Sequence, residues 1–194
     1  MKKMIIMFVA VVLVIPLFAQ EASVKPYISF KAGLGFINYK ESGYKNDDIA
    51  PILGTSLGIS LAENLRIEGE YLRHTQVTIV DASFIRNELG LPVSEGITAT
   101  GDSFIFTILF NKKFSNSDTE FVLGAGIGRT KVKASFLGYS DSENNFTYSF
   151  YAGIAPALSE DIKLDLGIHY VNMSGVDYDL YSISPSSGLR FMFN

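Results

Sequence analysis

Ile162-Lys163-Leu164-Asp165-Leu166-Gly167-Ile168-His169-Tyr170 alternates apolar and polar residues without a break. A period of two puts Ile162, Leu164, Leu166, Ile168 and Tyr170 on one face of a strand, and Lys163, Asp165, Gly167 and His169 on the other. The same period recurs outward in both directions. Leu189, Phe191 and Phe193 oppose Gly188, Arg190 and Met192 near the end of the chain. Phe121, Leu123, Ala125 and Ile127 oppose Glu120, Gly124, Gly126 and Gly128, and Phe146 to Ile154 continue the pattern. Toward the start, Phe104 to Phe110, Leu65 to Tyr71, Leu53 to Leu61 and a segment from about Tyr27 to Tyr39 alternate as well. Eight strands are therefore expected.

The connections differ in length. Ala62-Glu63-Asn64, Ser115 to Asp118 and Ser159-Glu160-Asp161 read as short turns. Polar loops are expected around Gly43 to Asp48, Gly138 to Asn145 and Asn172 to Tyr181, and a longer mixed segment from His74 to Asp102. In that segment, strand extensions and a short helix near Ala82 to Leu89 are expected. Alternation of short turns and long loops is the signature of an up-and-down meander. Pro156 cannot donate to a ladder, so a bulge or an early strand end is expected there.

The first residues read as an export signal. Lys2 and Lys3 precede an apolar run from Ile5 to Phe18, and Ala19 offers a small residue before a cleavage point. Residues 1–19 are assigned as signal peptide, with cleavage as late as residue 22, and residues 27–194 as one barrel domain. The alternative is an uncleaved N-terminal anchor. Beyond residue 22 no apolar run approaches a membrane helix, so any membrane-embedded state must be a closed barrel. The chain of 194 residues contains no cysteine, and 20 acidic against 16 basic residues give a formal charge of −4. Loss of Lys2 and Lys3 takes the mature chain to about −6. That balance argues against a nucleic-acid partner, and no metal site or cofactor is expected.

Volume decides which way the apolar face points. It holds roughly thirty large side chains, against about a dozen that fill an eight-stranded enzyme barrel. A lipocalin-like interior is therefore excluded, and a soluble sandwich would need more charge on its other face than Gly and Ser supply. Aromatics collect toward the strand ends, as in interfacial girdles. The expected fold is an all-β, eight-stranded, antiparallel up-and-down transmembrane β-barrel. Leader, the hairpin after Leu61, the run Leu164 to Tyr170 and the aromatic end together resemble the small outer-membrane barrels of the OmpX, OmpA-transmembrane and opacity-protein type. In that family an aromatic usually ends the chain as a recognition signal for the insertion machinery; here Asn194 follows Phe193. The resemblance implies integral residence in the bacterial outer membrane. Members serve as adhesins, structural anchors or small channels.

Four sets of residues are candidates for function. Lys31, Arg66, Glu68, Glu120, Lys163, Asp165 and Arg190 fall on the inward parity of the short-turn half and are expected to form a charge network closing the lumen. Were it to gate instead, the protein would be a small-solute channel. Arg73, Arg129, Lys131 and Lys133 continue the outward parity beyond the apolar band, where lipopolysaccharide phosphates would lie. His169 with Asn172, Ser174 and Asp177 loosely suggests a lipid A-modifying hydrolase, but the parity of His169 points away from lipid, so no enzyme is expected. His74 has no evident partner. The long loops are the fourth candidate, an extracellular ligand surface giving a structural or adhesin-like role.

Overall fold

The computed structural model describes residues 24–193, so the assigned signal peptide lies outside the described residues. Eight strands follow one another: β1 (Lys25–Glu41), β2 (Tyr44–Ala62), β3 (Leu65–Val80), β4 (Ile97–Lys113), β5 (Glu120–Phe136), β6 (Tyr139–Ala155), β7 (Ile162–Asn172) and β8 (Asp179–Met192), with helix α1 (Ala82–Leu89) between β3 and β4. Each strand pairs antiparallel with its chain neighbour, and β8 returns to β1, so the sheet closes. Closure satisfies the edges that an open sheet would leave bare.

The apolar parity faces outward. Phe30, Leu34, Leu53, Leu57, Phe104, Phe110, Phe150 and Ile168 are all exposed, Leu57 and Phe104 by about two thirds. A continuous exterior belt of this kind is not compatible with water. Among the described residues no helix is long and apolar enough to cross a membrane, which does not bear on crossing by strands.

Two expected loops are strands instead. Asn46, Asp47 and Asp48 belong to β2, and Tyr139 to Asn145 to β6. The chain reverses at Ser42-Gly43 and at Leu137-Gly138, and both residues of each pair have positive φ. That is the geometry of a two-residue hairpin whose twist matches its strands. These segments are hydrophilic because the ribbons stand in water, not because they are irregular. Ser-Gly and Leu-Gly are also weaker signals than Asn-Gly.

β1 has 17 residues and β2 has 19, whereas about 9–11 suffice to cross a bilayer. β7 has just 11, so the ribbons rise mostly from β1 to β6. Above the pair Ile52↔His74, β2 and β3 separate. Above Tyr148↔Asn172, β6 and β7 also separate. At this ribbon end the cylinder therefore becomes two sheets, β8-β1-β2 and β3-β4-β5-β6. Side chains stitch the first seam: Asn46 Nδ2 donates to the Thr78 carbonyl at 2.9 Å, and Asp48 Oδ2 accepts from the Thr78 amide at 2.7 Å.

Helix α1 docks across the same seam. Ile85 is buried, and Phe84 packs on Tyr44 with ring centroids 4.4 Å apart. The Asp81 amide donates to the Tyr44 hydroxyl at 3.0 Å. Gly90, at φ 66°, ends the helix by donating to the Arg86 carbonyl. At the opposite, turn end, β6 stops at Ala155 just before Pro156, whose carbonyl accepts from the Leu164 amide at 3.0 Å.

Candidate functional site

The inward parity builds three tiers. In the turn half, Lys31 Nζ lies 2.7 Å from Glu70 and 3.1 Å from Glu68. Glu68 also accepts from the Tyr27 hydroxyl at 2.8 Å and from Ser56 at 3.1 Å. Arg190 donates twice to Asp165, at 2.8 and 3.2 Å, and lies 3.8 Å from Glu120, which pairs with Lys163. Arg66 donates to Asn111 at 3.1 Å. Tyr27 presents its ring to both guanidinium groups, 5.4 Å from Arg66 and 5.8 Å from Arg190.

All seven charged residues assigned to the lumen thus point inward, and contacts link all of them. Three partners escaped the reading. Glu70 lies on the same strand parity as Glu68. Tyr27 marks the start of the first strand, and an uncharged residue at a strand end carries no local sign of an ionic neighbour. Tyr151, whose ring lies 5.5 Å from Lys31 Nζ, was masked by its aromatic neighbours Tyr148 and Phe150.

A belt of hydroxyls and histidines follows. Ser103, Thr130 and Thr147 form a chain at 2.7 and 2.6 Å. His74 is not an isolated strand-end residue as expected; it is buried mid-strand, with Nε2 3.0 Å from the Ser182 hydroxyl. His169 is buried 4.0 Å from Glu70 and stands edge-on to Tyr151. Ser174 is tied instead to Asn172 and to the backbone of Leu180, so it is not a partner of His169.

The third tier, toward the ribbon end, is apolar. Ile37, Ile52, Leu72, Val77, Ile105, Val132, Val171, Met173 and Leu180 form one buried cluster. An interior made of Gly, Ser and a few charges was expected throughout; the structure restricts that character to the lower part. Above the cluster, Tyr178 accepts from Asn145 at 2.6 Å, and burial pushes its phenol above the ordinary range.

Outside, Arg73, Arg129, Lys131 and Lys133 are exposed on the outward parity of β3 and β5. Cross-strand pairing aligns Arg73 with Asp102, and Asp102 with Lys131. Arg73 lies 3.9 Å from Asp102, which also accepts from the Tyr71 hydroxyl at 2.5 Å. Among the described residues no group of three or more His, Asp or Glu is placed to hold a metal ion.

With this closed antiparallel barrel and its apolar exterior in view, the chain matches, over residues 6–191, the profile of a family described as outer membrane protein beta-barrel domain. The chain belongs to this outer-membrane β-barrel family. Among solved structures, the barrel is similar to neisserial surface protein A, at 15% identity, 86% coverage of this chain, 97% of that one and a TM-score of 0.60. It is also similar to Ail, the attachment invasion locus protein of Yersinia pestis, at 17% identity, 89% and 100% coverage and a TM-score of 0.53. The N-terminal barrel of OprF from Pseudomonas aeruginosa matches at 11% identity, 86% and 97% coverage and 0.52. At these identities the likeness shows the fold. No curated protein sequence matches the chain. Membership places the barrel in the bacterial outer membrane.

Proposed function

We propose that this outer-membrane barrel is non-conducting and acts through its ribbon end, which faces the cell exterior. The observation that carries this reading is the pairing of a filled interior with strands that outrun the membrane. An ion moving along the axis would meet a buried ion-pair network, then hydroxyls, then a cluster of aliphatic side chains with no polar group to replace its hydration. The charge network closes the lower part, and the apolar cluster seals the upper part independently.

The ribbons carry the surface role. Residues 139–144 of β6 are exposed, and their pairing with β7 begins only at Tyr148. Such an edge offers backbone donors and acceptors to an extended segment of a partner protein. An adhesin-like contact by strand addition follows, with the barrel as its anchor. Ail carries attachment in its name, which agrees with this reading without deciding it.

Two measurements test it. Planar bilayers containing the purified barrel should show no steady conductance. Replacing residues 134–141 by Asn-Gly shortens the β5–β6 ribbon while keeping the pair Lys133↔Ser142. Cells displaying the full barrel should adhere to surfaces coated with extended, unstructured polypeptide, and cells displaying the shortened one should not. Discrete conductance steps, or adhesion that survives the shortening, would overturn the proposal.

A further inference from the structure

Above the apolar tier the two sheets do not pack fully against each other. Between β8-β1-β2 and β3-β4-β5-β6 they leave a chamber of about 290 Å³ at the ribbon end. That volume lies at the small end of the range of small-molecule sites. Ile79, Ile97, Ala99, Val132 and Leu180 form its floor, and all of them belong to the apolar tier or pack on it. Tyr39 and Tyr178 also line it, with ring centroids 5.9 Å apart. The tier beneath is filled, so the chamber ends blind below and is entered from the ribbon end.

Its rim carries one sign of charge. Glu41 comes from β1, and Asp141 and Glu143 come from β6 on the facing sheet. Asp141 and Glu143 occupy successive inward positions, roughly 6.6 Å apart along the strand. Their cross-strand neighbours on β5 are Ala134 and Val132, which offer no counter-charge. Lys40, Lys45, Lys131 and Lys133 stand on the same ribbons but on the outward parity. Among the described residues no cation lies within ion-pair reach of the three carboxylates. Glu41 accepts from the Tyr39 hydroxyl, and Glu143 lies beside Tyr178; a phenol leaves the carboxylate charge in place. Like charges around a small space repel one another, and an apolar wall weakens the screening between them. A bound cation removes that repulsion.

We propose that the chamber seats a small organic cation, a primary ammonium group joined to an aromatic or aliphatic body. The three N–H donors of the ammonium match the carboxylates of Glu41, Asp141 and Glu143. The body rests on the aliphatic floor, with the rings of Tyr39 and Tyr178 beside its charge. Charge selects this guest over anions. The apolar floor selects it over hydrated metal ions, which need oxygen ligands on every side. The site uses neither the free edge of β6 nor an adhesive partner, so failure of the adhesion assay leaves it standing.

Isothermal titration calorimetry of the full barrel in neutral micelles tests the site, with barrel-free micelles as blank. The probes are phenethylammonium, phenylacetate with a ring and the opposite charge, and ethylammonium with the charge and no ring. Phenethylammonium should bind one per barrel, at least about tenfold more tightly than either of the others. Asp141→Asn with Glu143→Gln should weaken its binding at least about tenfold. Ala134→Leu, which fills the chamber without touching a charge, should do the same. Asp47→Asn, on the outward parity of β2, should change nothing. Heat-modifiable migration on gels confirms folding, and Ala134→Val serves as the milder variant if Ala134→Leu does not assemble. No saturable uptake, equal affinity for phenylacetate or ethylammonium, or affinity that survives loss of both carboxylates or filling of the chamber would overturn the proposal.

Discussion

Arg190→Met removes the best-connected cation of the interior. Arg190 is 1% exposed, donates two hydrogen bonds to Asp165 and approaches Glu120 at 3.8 Å. Methionine matches the volume of the stem, so the loss is chiefly electrostatic. Glu120 keeps Lys163, but Asp165 is left as a buried carboxylate without its partner. Breaking a buried pair from one side costs about 3–5 kcal/mol. With a urea slope of about 2 kcal/mol per molar, the unfolding midpoint in lipid vesicles should fall by about 2 M. The chain has no tryptophan, so the transition is followed by far-ultraviolet circular dichroism and by gel migration. The double variant Arg190→Met with Asp165→Asn removes both charges and should recover at least about half of the loss, because the cost lies in the stranded carboxylate. A single variant within about 1 kcal/mol of the parent, or two substitutions that simply add, would refute the argument. Conductance adds an independent check. The apolar tier around Leu72, Ile105 and Met173 remains in place, so the variant should stay closed to ions.

Three further outcomes follow from the packing. Leu72→Ala, in the buried apolar tier, should lower stability by about 2–5 kcal/mol, whereas Leu57→Arg, on the exposed wall, should cost about 2–4 kcal/mol in a bilayer and much less in a micelle; equal losses in both media for Leu57→Arg would contradict its assignment to lipid. Gly128→Ala forces a Cβ against the Phe104 backbone and should destabilise the β4–β5 pairing, while Gly69→Ala, with open space around it, should be nearly silent; thermal scans of the two variants separate the cases. Tyr44→Ala removes the ring under Phe84 and the acceptor for the Asp81 amide, so limited proteolysis in 82–96 should speed up while barrel melting stays unchanged. A barrel that melts earlier would mean that α1 supports the closed sheet.

Much of this was legible in advance because a strand writes its environment with a period of two. The outward set from Phe30 to Phe193, the turn at Glu63-Asn64 and the strand end before Pro156 can all be read from local pattern. So can α1, since Ala82 to Leu89 is too apolar for a floppy loop and ends on a glycine. The two segments expected as loops share one cause. Asn46 to Asp48 and Tyr139 to Asn145 are polar on both faces, and polarity cannot distinguish a solvated ribbon from a loop. The hairpins at Ser42-Gly43 and Leu137-Gly138 depend on backbone angles that only cross-strand pairing enforces.

The sequence by itself determined the fold class, the strand count and the outward direction of the apolar face. Those follow from periodicity and from side-chain volume, which are properties of residues taken one at a time. Only the tertiary structure decided who meets whom inside. His74 finds Ser182 and Lys31 finds Glu70 across 108 and 39 residues of chain, because closing the barrel sets the register. The same closure gathers Ile37, Ile52, Leu72 and Met173 into one apolar tier. Parity tells a side chain which wall to face; strand stagger tells it which neighbours it will find there.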